Sequence, residues 1–412
     1  MALRVGCAIA TEYKPIFPAY YYTDANSFHA YAIRARDDIA AGRSPRINGS
    51  LSERLQTSMT LQTYRVFGAR PLAIKLVNAS LGALCILALT WTLSLVFPSR
   101  AALAAGALVA VWPSHVFYTS QNLKEAPADL LAYLALGAAF AAVAAPGGAY
   151  ARAGALAMLT ASLLGAGFYR SYVLLSISGG LLLAFALMAL DRPRRAAALL
   201  GAAAVFAALS LYPWLSHQVI LSFESTPLSA ADIKRLAPDL IPTTHDEFDI
   251  GTVNRPNSPG GITAFRKSRQ FADRRWARHT SEREIGTQIY PKAEFKTWGE
   301  VFAYLPKGAF TVLFMPLPGL YPMNGKLGRL AASGENLFLL SLAALAVAGF
   351  FRGPKAPARL GLLAFFGAMT VGAALFEFDL GSAGRHKLLY MPMLFPFAAE
   401  AALRLYHGKE PV

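Results

Sequence analysis

LAIKLVNASLGALCILALTWTLSLVF, residues 72–97, decides the fold. It carries one charge, Lys75, one turn in, and it is long enough to cross a bilayer, which takes about 20 apolar residues. Similar runs recur at 101–119, 126–145, 153–169, 171–190, 196–218, 335–351, 358–376 and 388–405. The chain has 412 residues, of which 55% are hydrophobic and 15% charged, with a mean hydropathy of +0.39. That combination belongs to an all-α, polytopic helical membrane protein and not to a soluble enzyme. The net charge of +15 sits between apolar runs. It therefore points to anionic lipid headgroups or a phosphate-bearing lipid as partners, and not to nucleic acid.

Four regions follow: 1–71, a first outer loop; 72–218, six apolar runs; 219–334, a large polar region; and 335–412, three more runs. Met1–Ala10 is apolar apart from Arg4 and too short to span, so it reads as the stub of a first span that starts upstream. Residues 43–70 read as polar and turn-rich. Two basic clusters set the orientation: Arg192, Arg194 and Arg195, then Arg352, Lys355 and Arg359. Both belong on the cytoplasmic side. Residues 1–71, the loop near 120–125, the turn at Tyr169–Arg170, residues 219–334 and 377–387 then face outward. Gly308–Met323, interrupted by Pro316, Pro318 and Pro322, is expected to be re-entrant or interfacial. The count is nine spans, or ten with the missing one. Cys7 and Cys85 are expected to form no disulfide.

The region 219–334 holds an acidic knot, His245, Asp246, Glu247 and Asp249. It also holds a basic run, Arg266, Lys267, Arg269, Arg274, Arg275 and Arg278, interleaved with Phe265, Phe271 and Trp276. The run is either a solvated helix or a surface for anionic lipid or acidic glycan.

Tyr20–Gly42 places Asp24 ahead of an amphipathic helix whose apolar stripe is Phe28, Tyr31, Ala32, Ala35 and Ile39, with Arg34, Asp37 and Asp38 off it. Asp24 or Asn26 is a candidate helix cap. Lys124 and Glu125 open a span, Arg170 separates two spans, and Arg385, His386 and Lys387 open the last one. Charges at membrane depth cost on the order of 3 kcal/mol or more, so each needs a partner or a wet cavity. Each also has a plainer reading: a helix start for Lys124 and Glu125, and snorkelling for Arg170, Arg385 and Lys387. His115 reads as a packed polar residue, Glu400 and Arg404 as an i,i+4 pair, and Lys75 as reaching outer headgroups. No His or Cys spacing suits a structural metal, and no glycine loop suits a nucleotide. A carboxylate among fixed cations suits group transfer from a lipid phosphate, the acid acting as base and the cations holding the phosphate.

These residues resemble the GT-C superfamily of integral-membrane glycosyltransferases, in particular bacterial enzymes similar to protein O-mannosyltransferases and to the aminoarabinose transferase of lipid A. The resemblance rests on Tyr22–Tyr31, on Phe67–Asn78 with Trp112-Pro-Ser-His115 and Leu123-Lys-Glu125-Ala, on Tyr304–Pro318, and on Gly384–Pro392. It implies a GT-C-like helical bundle in a bacterial inner membrane with its site facing outward. Asp24 would be catalytic base and Glu125 a second catalytic acid. Arg170, Arg385, His386 and Lys387 would bind the phosphate of a polyprenyl-phosphate sugar donor, and the acceptor would be a glycan, lipid or protein. A divalent cation is compatible with the resemblance. However, Asp24 is followed by Ala25 and Asn26 and not by a second acid, so no metal ligands are assigned. A polymerase or ligase of lipid-linked glycans, a transporter and a non-catalytic scaffold stay open as alternatives.

Overall fold

The computed structural model describes all residues except 15–21, 46, 48–49, 145–147, 191–193, 223–258, 260, 265, 268–286, 323–326 and 408–412. The acidic knot and the basic run beyond Lys267 lie outside the described residues. Among the described residues the chain is all-α, apart from one bridge between Gln288 and Asp379. In chain order the helices are α1 (Ala2–Tyr13), α2 (Thr23–Ala40), α3 (Leu51–Phe67), α4 (Pro71–Ser94), α5 (Ser99–Val111), α6 (Pro113–Tyr118), α7 (Glu125–Ala144) and α8 (Gly148–Tyr169). There follow α9 (Ser171–Ala189), α10 (Arg195–Ser222), α11 (Trp298–Phe314), α12 (Leu327–Arg352), α13 (Pro357–Phe376), α14 (Leu380–Tyr390) and α15 (Phe395–His407).

The protein is a multi-pass membrane protein. Among the described residues, eight helical segments are long and apolar enough to cross: α4, α7, α8, α9, α10, α12, α13 and the composite Leu380–Tyr406. The apolar run 101–119 is not one of them. Trp112 adopts extended backbone ahead of Pro113, which ends α5 after 13 residues and starts α6 afresh. Proline lacks the donor and disfavours helical backbone in the residue before it.

Three other expectations change. Residues 51–67 form a helix where a turn-rich stretch was expected. Its start is a capping box in which Ser50 and Glu53 satisfy each other's backbone N–H. The stretch expected to be one proline-broken segment from Gly308 is divided: Gly308–Phe314 is the last part of α11, and turns follow. The last outer loop is shorter than expected, because helix resumes at Leu380.

The chain divides into two compact units. The first comprises Met1–Thr226, Leu340–Ala368 and Leu388–Val412; the second comprises Pro227–Leu339 and Met369–Lys387. In the first, α7 packs against α4 and α8, and α1 packs against α4. Ala126, Ala128, Ala132, Ala135, Ala138 and Ala139 of α7 are fully buried. Small side chains let helix backbones approach where lipid supplies no hydrophobic drive. Glu400 of α15 is buried between Arg359 and Arg404, each 2.8 Å away, and the Arg359 guanidinium also lies 4.4 Å from the Phe97 ring centroid. Arg359, expected in a surface cluster, is thus an interior ion-pair partner. Lys75 does not reach headgroups either, since its Nζ pairs with Glu12 at 2.8 Å.

In the second unit, Arg266 leaves the basic run for the interior. It donates to the carbonyls of Ala374, Leu375 and Glu377, and to those of Ile289 and Tyr290. The first of these are orphan acceptors at the end of α13, which a cation satisfies well.

Two adjacent glycines of α9 should respond oppositely to alanine. A Cβ on Gly180 would lie 2.8 Å from the backbone of Phe365, whereas one on Gly179 meets open space. Gly180→Ala is expected to destabilise by about 1–3 kcal/mol and Gly179→Ala to stabilise by up to about 1 kcal/mol, read as opposite shifts in detergent melting temperature. Equal shifts would show that α9 and α13 are not in close backbone contact.

Candidate functional site

The first unit brings its charged groups together around the connection between α6 and α7, residues 119–124. This connection is buried: Thr119, Ser120 and Gln121 are wholly enclosed, Asn122 and Leu123 nearly so. Its polar groups therefore draw partners from inside the protein, although Gln121 Oε1 has none among the described residues. Thr119 accepts from Arg4 Nε at 3.0 Å, and Gln121 donates to Thr11 at 3.0 Å. Asn78 of α4 donates from one amide nitrogen to the carbonyls of Gln121 and Leu123. Asn122 Oδ1 accepts from Gln56 Nε2 at 2.8 Å and from Thr60 Oγ1 at 3.0 Å.

That arrangement explains α3. Its inner face carries Gln56, Thr57, Thr60 and Thr63, all buried; Gln56 and Thr60 donate to Asn122, and Thr63 donates to the Met59 carbonyl of its own helix. Tyr64 completes the face and pairs with His29 of α2 at 2.8 Å. Burial holds the His29 imidazole below its ordinary pKa, with Glu12 opposing and Arg36 assisting.

Asp24 is the second residue of α2 and half-buried. The helix starts at Thr23, and the residue before it, Tyr22, makes no side-chain cap. An acid in the first turn is favoured by the helix dipole. The buried face of α2 is Ala25, Phe28, Ala32, Ala35 and Asp38. Ile39, expected on it, is exposed, and Asp38, expected off it, is buried and paired with Arg43 at 2.8 Å. The helix ends there, and the ion pair replaces apolar packing.

Lys124 stands among four charged neighbours. Its Nζ lies 3.2 Å from Ser52 Oγ and 5.8 Å from the Phe28 ring centroid. Its pKa is lowered by burial first and by the Arg170 charge second, against the opposing fields of Glu53, Glu125 and Asp24. Arg170, at the turn between α8 and α9, donates to Glu125 Oε1 at 2.6 Å and to the Tyr172 hydroxyl at 2.6 Å. Arg170 does not snorkel, since its side chain is 10% exposed, and Glu125 is the first residue of α7, the helix start that was its plainer reading. One turn below Glu125, Asp129 is buried, and its Oδ2 has no hydrogen-bond partner among the described residues. The sequence signal for Asp129 was its i,i+4 spacing from Glu125.

Behind the connection, Arg4 is buried and donates to His115 Nδ1 at 2.7 Å and to the Ala110 carbonyl at 3.2 Å. A guanidinium only donates, so the imidazole proton sits on Nε2. His115 is the packed polar residue that was expected. Arg4 is a full member of the buried network, beyond its reading as the one interruption of an apolar stretch.

Of the expected site residues, Asp24, Glu125 and Arg170 belong to the first unit, while Arg385, His386 and Lys387 belong to the second. There His386 Nδ1 pairs with Glu377 Oε1. Lys387 is buried, and its Nζ donates to Asn336 Oδ1 and to the Leu313 carbonyl. Among the described residues, no group of three or more His, Cys, Asp or Glu side chains is arranged to hold a metal ion.

No family model matches the chain, and no curated protein matches it in sequence. Among solved structures, the chain is similar to ArnT from Cupriavidus metallidurans in the apo state, at 16% identity and a TM-score of 0.37, over 92% of this chain and 72% of that one. It is similar to the same protein bound to undecaprenyl phosphate at 13% identity and a TM-score of 0.38, over 98% and 77%. The Archaeoglobus fulgidus oligosaccharyltransferase tethered with an acceptor peptide is similar at 15% identity and a TM-score of 0.49, over 99% of this chain and 50% of that one. At these scores the likeness assigns neither residues nor chemistry to this chain.

The Glu125–Arg170 pair generates a stability test. Removing one member of a buried pair strands the other, at a cost of about 3–5 kcal/mol. Glu125→Gln and Arg170→Gln are each expected to lower the melting temperature markedly. Glu125→Met with Arg170→Leu should recover most of the loss. Single variants that melt like the wild type would show that the pair is not buried.

Proposed function

We propose that the protein is a membrane glycosyltransferase of the GT-C type, moving a sugar from a polyprenyl-phosphate donor to an acceptor hydroxyl or amide. The observation that carries this reading is that Lys124, at the start of α7, feels the charges of Arg170 and Glu125 and also that of the half-buried acid Asp24 on α2. In the reaction, the acceptor attacks the sugar's anomeric carbon, the bond from that carbon to the phosphate oxygen breaks, and polyprenyl phosphate departs. Asp24 takes the acceptor proton as general base. Lys124 and Arg170 stabilise the charge gathering on the leaving phosphate. Glu125 serves the reaction through Arg170, whose guanidinium it holds at 2.6 Å. The reading uses residues of the first unit alone.

Sidedness follows from charge. Arg194, Arg195, Arg352 and Lys355 lie at the ends of spans opposite to those carrying Glu125 and Arg170. By the positive-inside rule the cluster faces outward from a bacterial inner membrane. Nucleotide donors are absent there, and a lipid phosphate carries the activated sugar instead. The sequence resemblance to GT-C enzymes supports the same chemistry.

The test is sugar transfer from a panel of labelled polyprenyl-phosphate sugars in membranes. Asp24→Asn is expected to lower transfer by at least about 100-fold, within the range for a lost general base, with melting unchanged. Retained transfer in the folded variant would remove Asp24 from the reaction. The lowered Lys124 pKa adds a pH dependence. Only the charged amine attracts phosphate, so affinity for polyprenyl phosphate should fall, as pH rises, earlier than an ordinary lysine would require. Lys124→Arg should keep its affinity to higher pH. Coincident profiles would exclude Lys124 from the phosphate contact.

A further inference from the structure

We propose that Asn122 is a positioning residue that fixes the first turn of α2, and with it the Asp24 carboxylate, against Lys124 and Glu125. The role in transfer rests on the glycosyltransferase reading; the tether itself does not.

Asn122 is a side chain of the buried connection that reaches α3 and α2 at once. Its Oδ1 accepts from Gln56 and Thr60 on α3, at 2.8 and 3.0 Å. Its Nδ2 is then turned toward α2, 3.5 Å from the carbonyl oxygen of Ala25, the residue next to Asp24. Leu123 packs on Ala25 and Phe28 from the same side. Two and three residues further along this backbone stand Lys124 and Glu125. The backbone cannot drift, because Asn78 holds the carbonyls on either side of Asn122. The position requires an amide: an acceptor for two donors from α3 and a donor for a carbonyl on α2. A carboxylate offers only acceptors, and an aliphatic side chain offers neither. At 3.5 Å the bond to Ala25 is weak, so the tether rests on it together with the packing of Leu123 against Ala25 and Phe28.

The test uses full-length protein in lipid nanodiscs, with Asn122→Asp as the first variant. It keeps shape and the two bonds from α3 but turns a negative oxygen to the Ala25 carbonyl. Amide hydrogen exchange over residues 22–31 is expected to rise about tenfold while α3 and α4 keep their protection, the signature of a local opening. For sugar transfer, kcat should fall by about 10–100-fold, the cost of misplacing a reacting group by about 1 Å, at an unchanged KM for the donor. Asn122→Ser, which keeps one donor and one acceptor, should be intermediate in both and supplies the measurement if Asn122→Asp does not fold. Unchanged exchange in α2 overturns the tether whatever the activity. Raised exchange with unchanged kcat overturns the positioning role. If the wild type transfers no sugar from any donor, the transfer reading fails, and the exchange measurement still decides the tether.

Discussion

A charge or an amide taken out of water must find its partner inside the protein. In this chain that constraint falls most heavily on the six residues between α6 and α7. A connection at the end of a span would ordinarily be wet. This one is enclosed by α1, α2, α3 and α4, and side chains from α1, α3 and α4 bond to it. Satisfying it fixes where α3 lies and which of its faces turns inward. It also fixes the backbone from which Lys124 and Glu125 extend. The candidate site is thus a consequence of how buried polar groups are satisfied, and its charged members inherit their positions from neutral ones.

The same constraint governs the other buried charges. Arg4 reaches a neutral imidazole, a hydroxyl and a carbonyl. Arg359 and Arg404 share Glu400. Arg266 closes the end of α13 by donating to its free carbonyls. Lys387 finds an asparagine and a carbonyl. Of these, only Glu400 pairs two cations with one acid. The others rely on neutral acceptors, which orient a cation without cancelling it. Arg170 differs in having the Glu125 carboxylate at 2.6 Å with Lys124 and Asp129 close by, so its surroundings mix both signs. Mixed charge at the ends of spans suits a ligand that brings a negative group of its own and a proton to lose.

The reading of the chain by pattern worked where apolar residues were continuous. Runs of 19 or more specified α4, α7, α9 and α13 to within a few residues, because a span buries its whole circumference in lipid or protein. Pattern reading missed α3, whose inward residues are mostly polar: Gln56, Thr57, Thr60 and Thr63, beside Leu61 and Tyr64. A helix with a largely polar inward face shows little apolar period, and the Ser50–Glu53 capping box marked its start. It also misjudged the end of α2, where a buried ion pair at Asp38 stands in for the apolar residue that the stripe required.

By itself the sequence determined that the chain crosses a membrane repeatedly as helices, which charges stand at the ends of those helices, and that an acid precedes an amphipathic segment. These follow from local composition and spacing. Only the tertiary structure decided which charges meet. Glu125 and Arg170 are 45 residues apart, and Lys75 finds Glu12 and not the headgroups. Asn122 gathers bonds from two helices that lie far upstream. Pairings of that kind depend on where separate helices come to rest, and no local periodicity encodes them.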